Sequence, residues 1–156
     1  ADAAAKIAAM RRRMKEERLK RGTGARNVKL GAGGMVEIEF LTQYLQLAHG
    51  REHEAVRDPH TLRALAALRA SGALGEEAHR DLEAAYRFLR KVEGRLRIQG
   101  EPGAGALPSS PTALHRLALR LGYGGAGRGA GEQLLADFTR HTARVRELYE
   151  ATVGDA

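Results

Sequence analysis

The 156-residue chain contains no cysteine, which removes disulfides, thiolate metal sites and a cysteine nucleophile together. The same absence fits a reducing, cytoplasmic setting. Tryptophan is missing and aromatics make up only 4% of the residues, so the core must be assembled from Leu, Ile, Val and Ala. No apolar run approaches the ~20 residues that a membrane span requires, and no signal-peptide pattern opens the chain. Serine is confined to Ser71, Ser109 and Ser110, each at an expected cap or turn, which argues against a serine nucleophile. The histidines lack ligand spacing: His49 and His53 are four apart, but Gly50 interrupts the helix between them. Neither a metal site nor a self-contained catalytic constellation is expected.

With 43% hydrophobic and 29% charged residues, the composition is that of one ordinary globular domain. The formal charge of +7 is concentrated at one end. Residues 1–30 hold ten basic and three acidic side chains, and the other 126 residues balance 16 against 16. A basic N-terminal segment invites a phosphate-binding reading. Against it, no aromatic residue interleaves Arg11, Arg12, Arg13 and Arg18, and no zinc or helix-turn-helix signature accompanies them. A solvated or domain-contacting face is the stronger reading, and a nucleic-acid partner is not expected.

Apolar periodicity predicts an all-α fold of about six helices. The first covers 2–21, with a thin stripe of Ile7, Met10 and Met14, and ends at Gly22-Thr23-Gly24. A Gly-rich loop follows, with a short extended piece at Asn27–Leu30. The second helix runs from Gly34 to His49 and is apolar on most sides, which marks it as the central buried helix. Its Glu37 lies in the first turn, where the helix dipole favours a carboxylate. Glu39, Gln43 and Gln46 form a polar stripe on the same helix. A charged loop over 51–59 leads to a helix from His60 or Thr61 that closes at Ser71-Gly72. A long helix follows to about Gln99, with Ala78, Leu82, Ala85, Tyr86, Leu89, Val92 and Leu96 on its stripe. Ser110-Pro111 is an N-cap followed by proline, the start of a helix burying Leu114, Leu117, Ala118 and Leu121. The last helix, about 131–152, buries Leu134, Leu135, Phe138, Thr142, Val145, Leu148 and Tyr149.

The residues most suggestive of chemistry are Lys29-Leu30-Gly31-Ala32-Gly33-Gly34 and the following Glu37 and Glu39. A glycine-rich turn before a helix can present N–H groups to an anion. The segment is neither a Walker loop nor a dinucleotide fingerprint, because the required Lys-Ser/Thr and the preceding long strand are missing. The competing reading is structural. In it the glycines permit a tight turn into a buried helix and Lys29 neutralises Glu37 or Glu39.

From Asn27 to Leu47 the chain resembles the glutamine-synthetase adenylyltransferases, in which Lys-x-Gly-x-Gly-Gly leads into an Asp/Glu-Ile-Glu-Phe helix. The resemblance continues through Thr61–Leu68 and through Ala85–Leu96. It extends to Leu107-Pro108-Ser109-Ser110-Pro111 and Leu119–Tyr123, and so covers residues 27–123 in order. PII-protein uridylyltransferases carry a looser version. The resemblance implies a large two-halved cytoplasmic enzyme, each half a nucleotidyltransferase core followed by a helical domain. One half attaches AMP from ATP to a tyrosine of glutamine synthetase with magnesium, and the other removes it.

On that resemblance, residues 1–26 are a linker from a core outside this chain, and 27–153 are the helical domain. The form Thr42-Gln43-Tyr44 points to the C-terminal, adenylylating half. Glu37 stands where the family often has Asp, and Val36 where the other half often has Arg. Lys29, Gly31, Gly33, Gly34, Glu37 and Glu39 are expected to face the core and approach nucleotide phosphates. No catalytic residue and no bound cofactor is expected in this chain. Its expected partners are its own core, glutamine synthetase and the PII signal protein. The alternative is a stand-alone helical binding module whose basic first helix contacts nucleic acid or an acidic protein.

Overall fold

The computed structural model describes Ala9 and residues 26–98, 105–124 and 129–153. The expected first helix over 2–21 lies outside the described residues, except for Ala9, which is helical and exposed. Five further α-helices are present: α1 (Met35–His49), α2 (Thr61–Ala70), α3 (Glu76–Ile98), α4 (Pro111–Arg120) and α5 (Ala130–Val153). Their order and bounds match the periodicity to within a residue or two. Among the described residues there is no strand, so the all-α expectation holds. The extended piece expected at Asn27–Leu30 reduces to one antiparallel bridge, Asn27 with Ala106, and the rest is turn.

The helices begin and end where local chemistry dictates. Ser110 accepts a hydrogen bond from the Ala113 N–H at 3.5 Å, and Pro111 occupies the first helical position, where its missing N–H costs nothing. Helix α2 ends at Ser71, and Gly72 then takes a left-handed φ of 78°, which side chains rarely tolerate. The loop after α1 holds an unexpected 3-10 turn, Glu54–Arg57. Its Val56 is fully buried, and its backbone is pinned by Gln46, whose Nε2 donates to the carbonyls of Val56 and Asp58 at 2.7 and 2.8 Å.

Helix α5 lies against α1, α3 and α4, while α2 is held between α1 and α3. The core is continuous and aliphatic: Ile38 and Leu41 of α1, Leu65 and Leu68 of α2, Leu82, Leu89 and Val92 of α3, Leu117 of α4 and Leu134 of α5. Polar ties secure the seams. Arg144 of α5 donates through Nε to Asp81 of α3 at 2.7 Å. Lys91 of α3 donates to the Leu121 carbonyl at the end of α4, 3.1 Å away. Tyr123 donates to Asp137 at 2.7 Å, and burial together with that carboxylate pushes its phenol well above the usual range.

Leu89→Ala is expected to lower the unfolding free energy by about 2–5 kcal/mol, since it opens a cavity in this core. Ile98→Ala, at a side chain that is 79% exposed, should change it by less than about 0.5 kcal/mol. Urea unfolding followed by circular dichroism measures both.

Candidate functional site

The Gly-rich loop folds into a closed hook. The Asn27 side-chain oxygen accepts from the N–H groups of Lys29 and Leu30 at 3.0 and 2.7 Å, forming a local turn. Val28 is fully buried beneath the loop, and its N–H donates to the Gly105 carbonyl at 2.6 Å. At the start of α1 the N–H groups of Gly34, Met35, Val36 and Glu37 donate to the carbonyls of Gly31, Val28, Lys29 and Gly34. These are the donors that a helix N-terminus would offer to a phosphate. Here the chain's own carbonyls have taken them.

The Gly33 N–H belongs to Glu37. Glu37 Oε2 reaches back to it at 2.8 Å, one residue further out than in a capping box. Its other oxygen accepts from Arg146 Nη1 of α5, also at 2.8 Å. Glu37 is 3% exposed while the Arg146 side chain keeps about a third of its surface in water, so the ion pair joins the beginning of α1 to the later part of α5 at the edge of the core. Burial pulls the Arg146 guanidinium's affinity for its proton down, but Glu37 and Glu150 outweigh it and the net shift is upward. Gly33 explains why the two elements approach so closely. It has a left-handed φ of 70°, and a Cβ there would sit 1.8 Å from the Thr142 carbonyl oxygen of α5.

Gly31, Gly33, Gly34 and Glu37 are therefore buried parts of one joint, whereas Lys29 is exposed on it. In the structural reading of this segment Lys29 neutralises Glu37 or Glu39; among the described residues Arg146 is the cation seen on Glu37, and Glu39 accepts from the Tyr86 hydroxyl at 3.2 Å. Arg146 is 109 residues from Glu37, and only the need of a buried carboxylate for a cation pointed towards it.

Two residues along an α-helix turn the side chain by roughly 200°, so Glu39 faces away from Glu37. It faces a groove of about 820 Å³ between α1, α2 and α3. Glu39 and Gln43 of α1 line one side and Tyr86, Arg87 and Arg90 of α3 the other, with Thr61 and Arg63 of α2 closing an end. The guanidiniums are braced from the rim: Arg63 on Asp58 at 2.7 Å, Arg87 on Glu83 at 2.8 Å and Arg90 on Glu93 at 3.3 Å. Burial pushes the Tyr86 phenol up and the charge of Glu39 adds to this, against a pull downward from Thr61, so the phenol stays a donor. Asp58 is held down to about 2, first by the Arg63 hydrogen bond and then by the His60 N–H. Among the described residues no group of three His, Asp or Glu could hold a metal ion.

A family model described as GlnD PII-uridylyltransferase matches residues 2–153. The chain belongs to this family. Within it, similarity runs to bifunctional glutamine synthetase adenylyltransferase/adenylyl-removing enzymes. That of Bordetella pertussis is 38% identical over 154 residues, which is 95% of this chain and 16% of the relative. That of Xanthomonas axonopodis pv. citri is 44% identical over 97 residues, 62% of this chain and 10% of the relative. That of Streptomyces coelicolor is 38% identical over 125 residues, 80% of this chain and 12% of the relative. The chain thus spans between a tenth and a sixth of these relatives. It is a helical domain related to the adenylyltransferases, as the blocks over 27–123 imply. No described helix of this family member is long and apolar enough to cross a membrane.

Gly33→Ala should destabilise the domain by at least about 2 kcal/mol, because it adds backbone strain to a steric clash with α5. Gly94→Ala, with open space around the site, should do no harm. Chemical unfolding compares them. The Asp58–Arg63 contact makes a pH prediction. Its contribution to stability is complete above 3.8, the ordinary aspartate value, and is lost as the pH falls through about 2. An NMR carboxyl titration should place the Asp58 midpoint near 2, and Arg63→Gln should return it towards 3.8.

Proposed function

We propose that this chain is a supporting helical domain of a bifunctional glutamine synthetase adenylyltransferase/adenylyl-removing enzyme. The observation that carries this reading is similarity across 95% of the chain to an enzyme of that name. In the reading, residues 1–26 lead from a nucleotidyltransferase core, and residues 27–153 form the domain. The reaction is transfer of AMP from ATP to a tyrosine hydroxyl of glutamine synthetase. Magnesium, when bound, supplies charge stabilisation to the phosphates. In this reading the catalytic carboxylates lie on the core. The sequence form Thr42-Gln43-Tyr44 supports placing the domain in the adenylylating half.

This chain's own contribution is mechanical and electrostatic. The buried joint of Gly31, Gly33, Gly34 and Glu37 holds the loop in one shape, and that shape presents Lys29 at the surface. Lys29 and Glu39 are then the members of the expected core-facing set able to meet the core. The other four act through the loop they shape. The reading also gives the domain a part in relaying regulation by the PII signal protein. The cytoplasm is its expected location.

The test uses the full-length enzyme, with AMP incorporation into glutamine synthetase as the readout. Lys29→Ala and Glu39→Gln are expected to lower the rate about tenfold, about 1.4 kcal/mol in the barrier, with thermal unfolding unchanged. Normal rates in both variants would contradict the core-facing assignment.

A further inference from the structure

The groove between α1, α2 and α3 lies across α1 from the hook, and Glu39 is the one residue of the expected core-facing set that lines it. Three features give it the character of a ligand site. Its volume, about 820 Å³, falls within the range of about 300–1,000 Å³ typical of small-molecule sites. It is an open groove whose three guanidiniums, phenol and amide share the lining with the Glu39 carboxylate and the apolar Pro59 and Leu62. It is also where separate stretches of sequence meet. Eight of its ten lining residues come from the blocks 27–47, 61–68 and 85–96 that carry the resemblance, although those blocks lie on three different helices.

The arginines decide the class of ligand. A guanidinium has five N–H donors, and each carboxylate here takes only one or two of them. Arg63 uses Nε on Asp58 and one Nη on the His60 ring, Arg87 uses Nε and one Nη on Glu83, and Arg90 uses one Nη on Glu93. The rim carboxylates therefore fix the orientation of each planar fork while leaving further donors for an anion with several acceptor oxygens. Phosphate oxygens match such forks in pairs. Gln43 and Glu39 of α1 line the opposite side with an amide and a carboxylate, groups suited to hydroxyls or a base edge, and Tyr86 donates to Glu39 from the α3 side. Helix α2 opens at the same place with its first residues, Thr61 to Arg63, whose N–H groups lack acceptors within the helix.

We propose that this groove binds a small molecule bearing a polyphosphate, held by Arg63, Arg87 and Arg90. Because the recognised chemistry is the phosphate chain, it can come from a nucleoside triphosphate or from free polyphosphate. Binding rests on this chain alone and not on the assigned activity.

The test is an NMR titration of the 156-residue chain at constant ionic strength with sodium tripolyphosphate, ATP and adenosine in parallel, checked by calorimetry. Saturable binding of tripolyphosphate is expected, with shifts confined to 61–63 and 86–90. Tighter binding of ATP identifies a nucleotide site, equal binding identifies a polyphosphate site, and either supports the proposal. Arg63→Gln/Arg90→Gln should weaken binding at least tenfold with little change in melting temperature. Arg116→Gln, on α4, should bind as the unaltered chain does. Shifts confined to residues 1–30, unsaturable binding, or binding of adenosine alone would overturn the proposal. So would a groove that binds an acidic peptide in preference to tripolyphosphate.

Discussion

A carboxylate cannot be buried without donors, and Glu37 has found them at both ends of the domain. One oxygen holds the Gly33 N–H of the hook and the other holds Arg146 near the end of α5. Loss of either donor would weaken the pairing of a carboxylate that is itself almost wholly buried. The rest of the arrangement depends on this joint. It sets where α1 starts, how closely the hook approaches α5 and which way the helix presents its opposite face. The glycine at position 33 is the steric condition for it, since any side chain there would meet the Thr142 carbonyl.

The same helix then divides its polar residues between two tasks. Glu37 faces inward to α5, and Glu39 and Gln43 face the groove beside α2 and α3. Gln46, one turn further on, holds the backbone of the loop that leads to α2. A helix that is apolar on most sides thereby fixes three neighbours with three side chains. The Gly-rich loop that resembles an anion cradle has spent its N–H groups on its own turns. The concave, arginine-lined surface lies elsewhere, across the helix.

Much of this was legible in the sequence. Ser110-Pro111, Ser71-Gly72 and the apolar stripes placed helices α1 to α5, because capping and periodicity are local. The burial of Leu114, Leu117 and Ala118 followed from the same stripe. The ion pair was not legible. Arg146 is one of several arginines on α5, and nothing within a few residues of it distinguishes it from Arg140 or Arg144. The groove was half legible: Glu39, Gln43, Thr61 and Tyr86 all stood in the quoted blocks. Their convergence depends on the position of α2 between α1 and α3, a tertiary fact. The 3-10 turn at Glu54–Arg57 escaped notice because its one anchor, Val56, sits within a charged segment.

A double-mutant cycle on Glu37 and Arg146 tests the joint most directly. Unfolding free energies are measured for Glu37→Gln, Arg146→Met and the pair. A coupling energy of at least about 1 kcal/mol is expected, with the double variant less damaged than the sum of the singles. Additivity to within about 0.3–0.5 kcal/mol would mean that the two side chains do not hold each other, and the account would fail at its centre.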